Sequence, residues 1–147
     1  SHKDVLIYSS DVLNEDVMVD GSIRLKLFVS SDSEDSDIIF RLTDVYPDGR
    51  SMLLREGPLR LSLRETFKEY RWLKPGEVYE VNIPADPVAN TFQKGHRIRL
   101  ILASSSSPHY ELNNNQSDKK APPKMAKNLI YADGSHPSAL YLPLVAK

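Results

Sequence analysis

Apolar residues recur at every second position along much of the chain, the mark of strands with one face in a core and the other in solvent. Ile23, Leu25, Leu27 and Val29 alternate with Arg24, Lys26 and Phe28. Aliphatic side chains therefore share one sheet face and charges the other, as in a half-buried antiparallel strand. Ile98, Leu100 and Leu102 repeat the pattern against Arg97, Arg99 and Ile101, and Gly95 ahead of them marks a turn. Residues 5–8, 37–45, 52–55, 78–83, 128–131 and 139–142 are further short candidates, giving about eight strands, as in a sandwich or jelly roll. Only residues 61–70 mix apolar and charged positions loosely enough for a turn or two of helix. The ten prolines argue the same way, because each is barred from a helix interior and from a central strand; their spacing reads as punctuation between strands.

Two turns are legible from their chemistry. In Tyr46-Pro47-Asp48-Gly49-Arg50 the proline fixes φ and the glycine supplies the positive φ that closes a hairpin. Leu73-Lys74-Pro75-Gly76-Glu77 repeats that chemistry ahead of a strand starting at Val78. Residues 104–127 differ. Four serines are followed by Asn113-Asn114-Asn115, Lys119-Lys120 and Pro122-Pro123, with little to bury, so a long surface loop is expected. Loops of that length usually carry function or move.

The chain has 147 residues, 40% hydrophobic and 27% charged, which suits one folded domain spanning residues 1–147 that buries roughly 70% of its unfolded surface. A net charge of -1, without a basic stripe, argues against nucleic acid or an anionic membrane as partner. Cysteine is absent, which removes disulfides, thiolate metal sites and a cysteine nucleophile, and allows a reducing compartment; the cytoplasm is the default expectation. No apolar run nears the ~20 residues of a membrane-spanning helix. Ser1-His2 has the look of a tag remnant, and the chain begins almost directly at a strand.

Candidate chemistry is thin. There is no G-x-S-x-G nucleophile elbow. The serines at 104–107 follow a strand without flanking glycines and read as loop. Asp133-Gly134-Ser135-His136 gathers an acid, a hydroxyl and an imidazole, but triad members converge from separate parts of a fold, and Asp-Gly-Ser is an ordinary turn signal. His2, His96, His109 and His136 show no metal-ligand spacing. Asp32-Ser33-Glu34-Asp35-Ser36-Asp37 offers oxygen ligands suited to calcium, yet lacks the glycine-centred spacing of an EF-hand, and a solvated acidic loop is the plainer reading. No cofactor or metal is expected. Tyr70 and Trp72, at period two, suit a ring platform for sugar stacking, although filling the core edge is the commoner use of a tryptophan beside a turn.

Several stretches then fall into register: Val29-Ser30-Ser31-Asp32; Leu42-Thr43-Asp44-Val45-Tyr46-Pro47-Asp48-Gly49-Arg50-Ser51; Leu73-Lys74-Pro75-Gly76-Glu77-Val78-Tyr79; Phe92-Gln93-Lys94-Gly95-His96-Arg97-Ile98-Arg99-Leu100; and His136-Pro137-Ser138. Together they resemble the C-terminal domain of the X-Pro dipeptidyl-peptidase and cocaine-esterase (CocE/NonD) family of α/β-hydrolases, over nearly the whole chain. The resemblance implies an all-β, jelly-roll, galactose-binding-like sandwich, whose parent carries its Ser-Asp-His triad in a preceding α/β-hydrolase domain and cleaves Xaa-Pro dipeptides or acyl esters. Asp44, Tyr46, Pro47, Asp48, Gly49, Pro75, Gly76, Gly95, His96, Arg97, His136 and Pro137 are then structural motif residues, and His96 is expected to hydrogen-bond a neighbouring loop. The implied partner is the parent's catalytic domain, with a homo-oligomer allowed. The competing reading is a stand-alone carbohydrate-binding module built on Tyr70 and Trp72.

Overall fold

A computed structural model describes residues 5–66, 68–104, 115–120 and 126–146. Its strands are β1 (Val5–Ser9), β2 (Val17–Ser31), β3 (Asp37–Val45), β4 (Ser51–Arg60), β5 (Tyr79–Phe92), β6 (Arg97–Ala103), β7 (Asn128–Tyr131) and β8 (Ala139–Tyr141). All pairings are antiparallel, in two sheets. The first sheet has the order β1-β6-β3-β4. The second places β5 on one side of β2 and both β7 and β8 on the other.

The alternation seen in the sequence is what closes the sandwich. Ile23, Leu25, Leu27 and Val29 of β2 meet Ile38, Phe40 and Leu42 of β3, Leu100 and Leu102 of β6, and Val81 and Ile83 of β5 in one core. Leu27 and Leu42 are almost fully buried, and burial of such a side chain contributes about 1.5–3 kcal/mol. Each predicted strand is present, with β3 and β7 at the expected bounds.

Two expectations are corrected. Prolines do not merely punctuate: Pro58 lies inside β4, and Pro84 and Pro87 inside β5. Both strands are sheet edges, where one side of the strand has no ladder to feed and a missing N–H is tolerated. These prolines hid the length of both strands. The weak helix signal of residues 61–70 is met by a 3-10 turn, Leu61–Leu63, where Leu61 is pulled into the core and its N–H bonds the Ser36 carbonyl at 2.8 Å.

The second correction concerns Asp32 to Asp37, a loop that is solvent-exposed only at Asp32 and Glu34. Ser31, Ser33, Asp35 and Ser36 are all buried, Asp35 completely. The long segment expected at 104–127 falls largely outside the described residues.

Gly49 has φ +93 in the β3–β4 hairpin, where its N–H bonds the Tyr46 carbonyl at 2.9 Å and Tyr46 N–H bonds the Arg50 carbonyl at 2.8 Å. Gly57 serves a different need. A Cβ there would lie 2.8 Å from Cε1 of Phe40, so the missing side chain lets the Phe40 ring cross β4.

Candidate functional site

The motif residues gather at the two ends of the sandwich. At the first, the β3–β4 turn meets the β5–β6 turn. Gly95, with φ +91, approaches Pro47, and its N–H bonds the Leu13 carbonyl at 2.9 Å while Leu13 N–H bonds the His96 carbonyl at 2.9 Å. Nδ1 of His96 stands 2.7 Å from Oδ1 of Asp44; a carboxylate only accepts, so the ring nitrogen donates. Asn90 donates to the other carboxylate oxygen at 3.3 Å.

A column runs outward from this pair. The Tyr46 ring packs on His96 with centroids 4.5 Å apart, and the Arg50 guanidinium lies 4.8 Å above Tyr46. Asp48 holds Arg50 at 2.9 Å, and the Arg50 backbone N–H, with the guanidinium, lowers the Asp48 carboxyl below its usual range. Arg97 completes this end by donating to the Ser10 carbonyl at 3.0 Å. His96 therefore bonds β3 through its ring and the β1–β2 connection through its backbone.

At the second end, the Pro75-Gly76 turn docks on the acidic segment: Gly76 N–H bonds the Ser31 carbonyl and Leu73 N–H the Glu34 carbonyl, both at 2.8 Å. Sequence reasoning missed the buried centre here. Asp35 accepts from the backbone N–H groups of Ser36 and Ser62 at 2.9 Å, from the Ser62 hydroxyl at 2.8 Å and from the Lys119 ammonium at 2.7 Å. Glu34 accepts from Ser117, so residues 115–120 are fastened to β2–β3. These partners lie 27 and 84 residues away, and no local pattern announces them.

Tyr70 and Trp72 do not fill the core edge. They stack on each other at 4.9 Å and 8°, 45% and 36% exposed, with the Lys119 ammonium 5.1 Å from the Trp72 ring centre.

Asp133 to His136 form an Asx-type turn. Asp133 Oδ1 accepts the N–H groups of Ser135 and His136 at 2.9 and 2.8 Å. Partial desolvation pushes the Asp133 carboxyl upward, but those two bonds and the His136 ring outweigh it, so it stays below its usual range. His136 packs on Phe28 and Tyr131. After Pro137, Ser138 accepts Phe28 N–H and donates to the Tyr131 carbonyl, seating β8 beside β2.

None of this is arranged for group transfer. Among the described residues, neither His96 nor His136 is hydrogen-bonded to a serine hydroxyl, and no cluster of three or more His, Cys, Asp or Glu is placed to hold a metal. His109 and the serines at 105–107 lie outside the described residues. No helix among them is long and apolar enough to cross a membrane.

A two-sheet antiparallel sandwich whose buried polar residues tie turns together defines a scaffold domain. The chain belongs to the family described as the X-Pro dipeptidyl-peptidase C-terminal non-catalytic domain, whose model matches residues 1–141. It is 38% identical over 149 aligned residues to a cocaine esterase of Rhodococcus sp. (strain MB1 Bresler), covering 98% of this chain and 26% of that protein. Its fold superposes on an aminopeptidase from a marine sediment Thaumarchaeota archaeon with TM-score 0.93 at 29% identity, covering 99% of this chain and 26% of that one. An α-amino acid ester hydrolase gives 0.91 at 25% identity, covering 97% and 26%. The chain thus spans about a quarter of the length of the relatives it matches.

Proposed function

We propose that the chain is the accessory part of a serine hydrolase acting on Xaa-Pro peptides or acyl esters, and that the outer face of its first sheet packs on the catalytic domain and helps wall the active-site entrance. The observation that carries this reading is the two-sided apolar character of that sheet. An antiparallel sheet with one solvated face alternates cleanly, whereas a sheet covered on both faces reads as continuous apolar runs. β2 alternates, whereas β1 does not, and in β6 the alternation of 97–100 gives way to a continuous apolar run over 100–103. Register places Val5 and Ile7 of β1 and Ile101 of β6 on the outer face, beside Ile39 of β3, which is already buried. Ile7 is 58% exposed there, and an uncovered patch of this kind marks an interaction surface. The absence of cysteine fits a cytoplasmic parent, and a jelly-roll, galactose-binding-like lineage fits the sandwich.

The test has two arms. The isolated 147-residue chain should show no turnover of aminoacyl-proline or ester substrates above buffer; clear turnover overturns the non-catalytic reading. In the parent enzyme, Ile7→Glu together with Ile101→Glu should loosen the domain and raise KM, and unchanged kinetics and thermal stability would exclude this face. The exposed Tyr70–Trp72 stack favours a second reading, sugar binding. Titration with a sugar panel while following tryptophan fluorescence tests it, and a flat response removes it.

A further inference from the structure

The outer face of the first sheet is apolar at one end and basic at the other. Register across β1-β6-β3-β4 sets its side chains in rows. Val5, Ala103, Ile39 and Pro58 make a wholly apolar row, and Ile7, Ile101, Arg41 and Glu56 the next. Then come Ser9, Arg99, Thr43 and Leu53, and beyond them Arg97, Val45 and Ser51.

The basic end lacks counter-charge. Arg41 has the Glu56 carboxylate at 2.5 Å, whereas Arg97 and Arg99 have neutral acceptors, the Ser10 carbonyl at 3.0 Å and the Ser9 hydroxyl at 2.8 Å. Among the described residues neither guanidinium forms an ion pair. Arg60 and Asp37 cancel each other at the apolar end, so three arginines against one glutamate leave the face at +2. Thr43, across the ladder from Arg99, is 5% exposed, and its hydroxyl is buried without a partner among the described residues. Water satisfies the two guanidinium groups while the face is open. Once a second surface covers it, a cation taken out of water without a partner is strongly unfavourable. Apolar contact, moreover, is non-directional and leaves two surfaces free to slide, while complementary charge fixes their register.

We propose that the catalytic domain of the parent sets one aspartate or glutamate side chain between Arg97 and Arg99, and that this pairing fixes the register in which the two domains dock. The inference rests on the reading of this face as the covered one. Residues two apart on one strand stand about 7 Å apart, close enough for one carboxylate to accept from both arginines, whose forked donors suit a carboxylate better than a point charge would. The Thr43 hydroxyl lies next to Arg99 as a further donor. The apolar rows supply the burial, and the basic rows decide the orientation.

Docking is read from an Ile7→Cys variant of the full-length parent, by thiol labelling quantified on the digested peptide. Labelling in the native parent should be slower than in the urea-unfolded parent by on the order of 100-fold. Equal rates mean an open face and defeat the docking reading together with this proposal. Where the thiol is protected, Arg99→Met in the same background discriminates. With a carboxylate facing Arg99, the substitution strands that charge and speeds labelling by on the order of 10- to 100-fold, and Arg99→Lys, which keeps the cation, retains most of the protection. With no counter-charge present, methionine relieves a buried cation, and labelling that stays as slow or slows further overturns the proposal while leaving the docking reading intact. In the Arg99→Lys variant, a carbodiimide should join position 99 by an amide bond to an aspartate or glutamate of the α/β-hydrolase domain. No product, a product confined to this chain, or one with a second copy overturns the proposal as well.

Discussion

Asp35→Ala is the most informative perturbation of the fold. The side chain is wholly buried and accepts four hydrogen bonds, two from backbone N–H groups, one from the Ser62 hydroxyl and one from the Lys119 ammonium. Alanine leaves the N–H groups of Ser36 and Ser62 without their acceptor, and each buried unsatisfied donor costs about 1–3 kcal/mol. Breaking a buried ion pair from one side typically costs about 3–5 kcal/mol, but the Lys119 side chain is 32% exposed and regains water, so the lower part of that range applies. The expected loss is about 3–5 kcal/mol, a large fraction of the ~5–15 kcal/mol that holds a domain together. Lys119→Met leaves Asp35 with its three neutral donors and should cost only about 1–2 kcal/mol. Urea unfolding followed by circular dichroism measures both, with the double variant closing the cycle. A loss below about 1 kcal/mol for Asp35→Ala would refute the claim that this carboxylate organises the β2–β3 end.

Other substitutions probe the remaining devices. Gly49→Val puts a β-branched side chain at φ +93 with no neighbour within 4 Å, so the cost is backbone strain alone, about 1–3 kcal/mol in thermal or chemical denaturation; an unchanged melting temperature would contradict the turn geometry. Gly57→Val drives a methyl-bearing carbon into the Phe40 ring and should cost about 1–3 kcal/mol by overpacking, visible as a shifted Phe40 ring signal in NMR. His96→Ala strands the buried Asp44 carboxylate with only Asn90 and should cost about 3 kcal/mol; a stability equal to the parent chain would mean the pair is idle. Asp133 has a folded-state pKa below its unfolded value of 3.8. Its contribution is therefore present above that pH and disappears as the pH falls through the folded value, so Asp133→Asn should flatten the acid limb of the stability profile measured below about pH 4.

The strands with one wet face were written plainly in the sequence. Ile23 to Val29 must place aliphatic groups on one side because side chains alternate, whatever the rest of the chain does. The turns at Gly49, Gly76 and Gly95 were equally local, since positive φ is a property of one residue and its neighbours. The lengths of β4 and β5 were not legible, because Pro58, Pro84 and Pro87 look like breakers until the sheet order makes these strands edges. Tyr70 and Trp72 could be paired by spacing, but their place outside the core depends on Leu61 and Leu73 taking the buried positions around them.

Asp35 marks the limit most clearly. An acidic residue between Glu34 and Ser36 reads as solvated, and only the arrival of Ser62 and Lys119 from distant segments makes burial of its charge tolerable. Alternation and turn chemistry are local and survive in a one-dimensional record. The pairing of a buried charge, the order of strands and the unequal width of the two sheets exist only once distant segments share space, so those were decided by the tertiary structure.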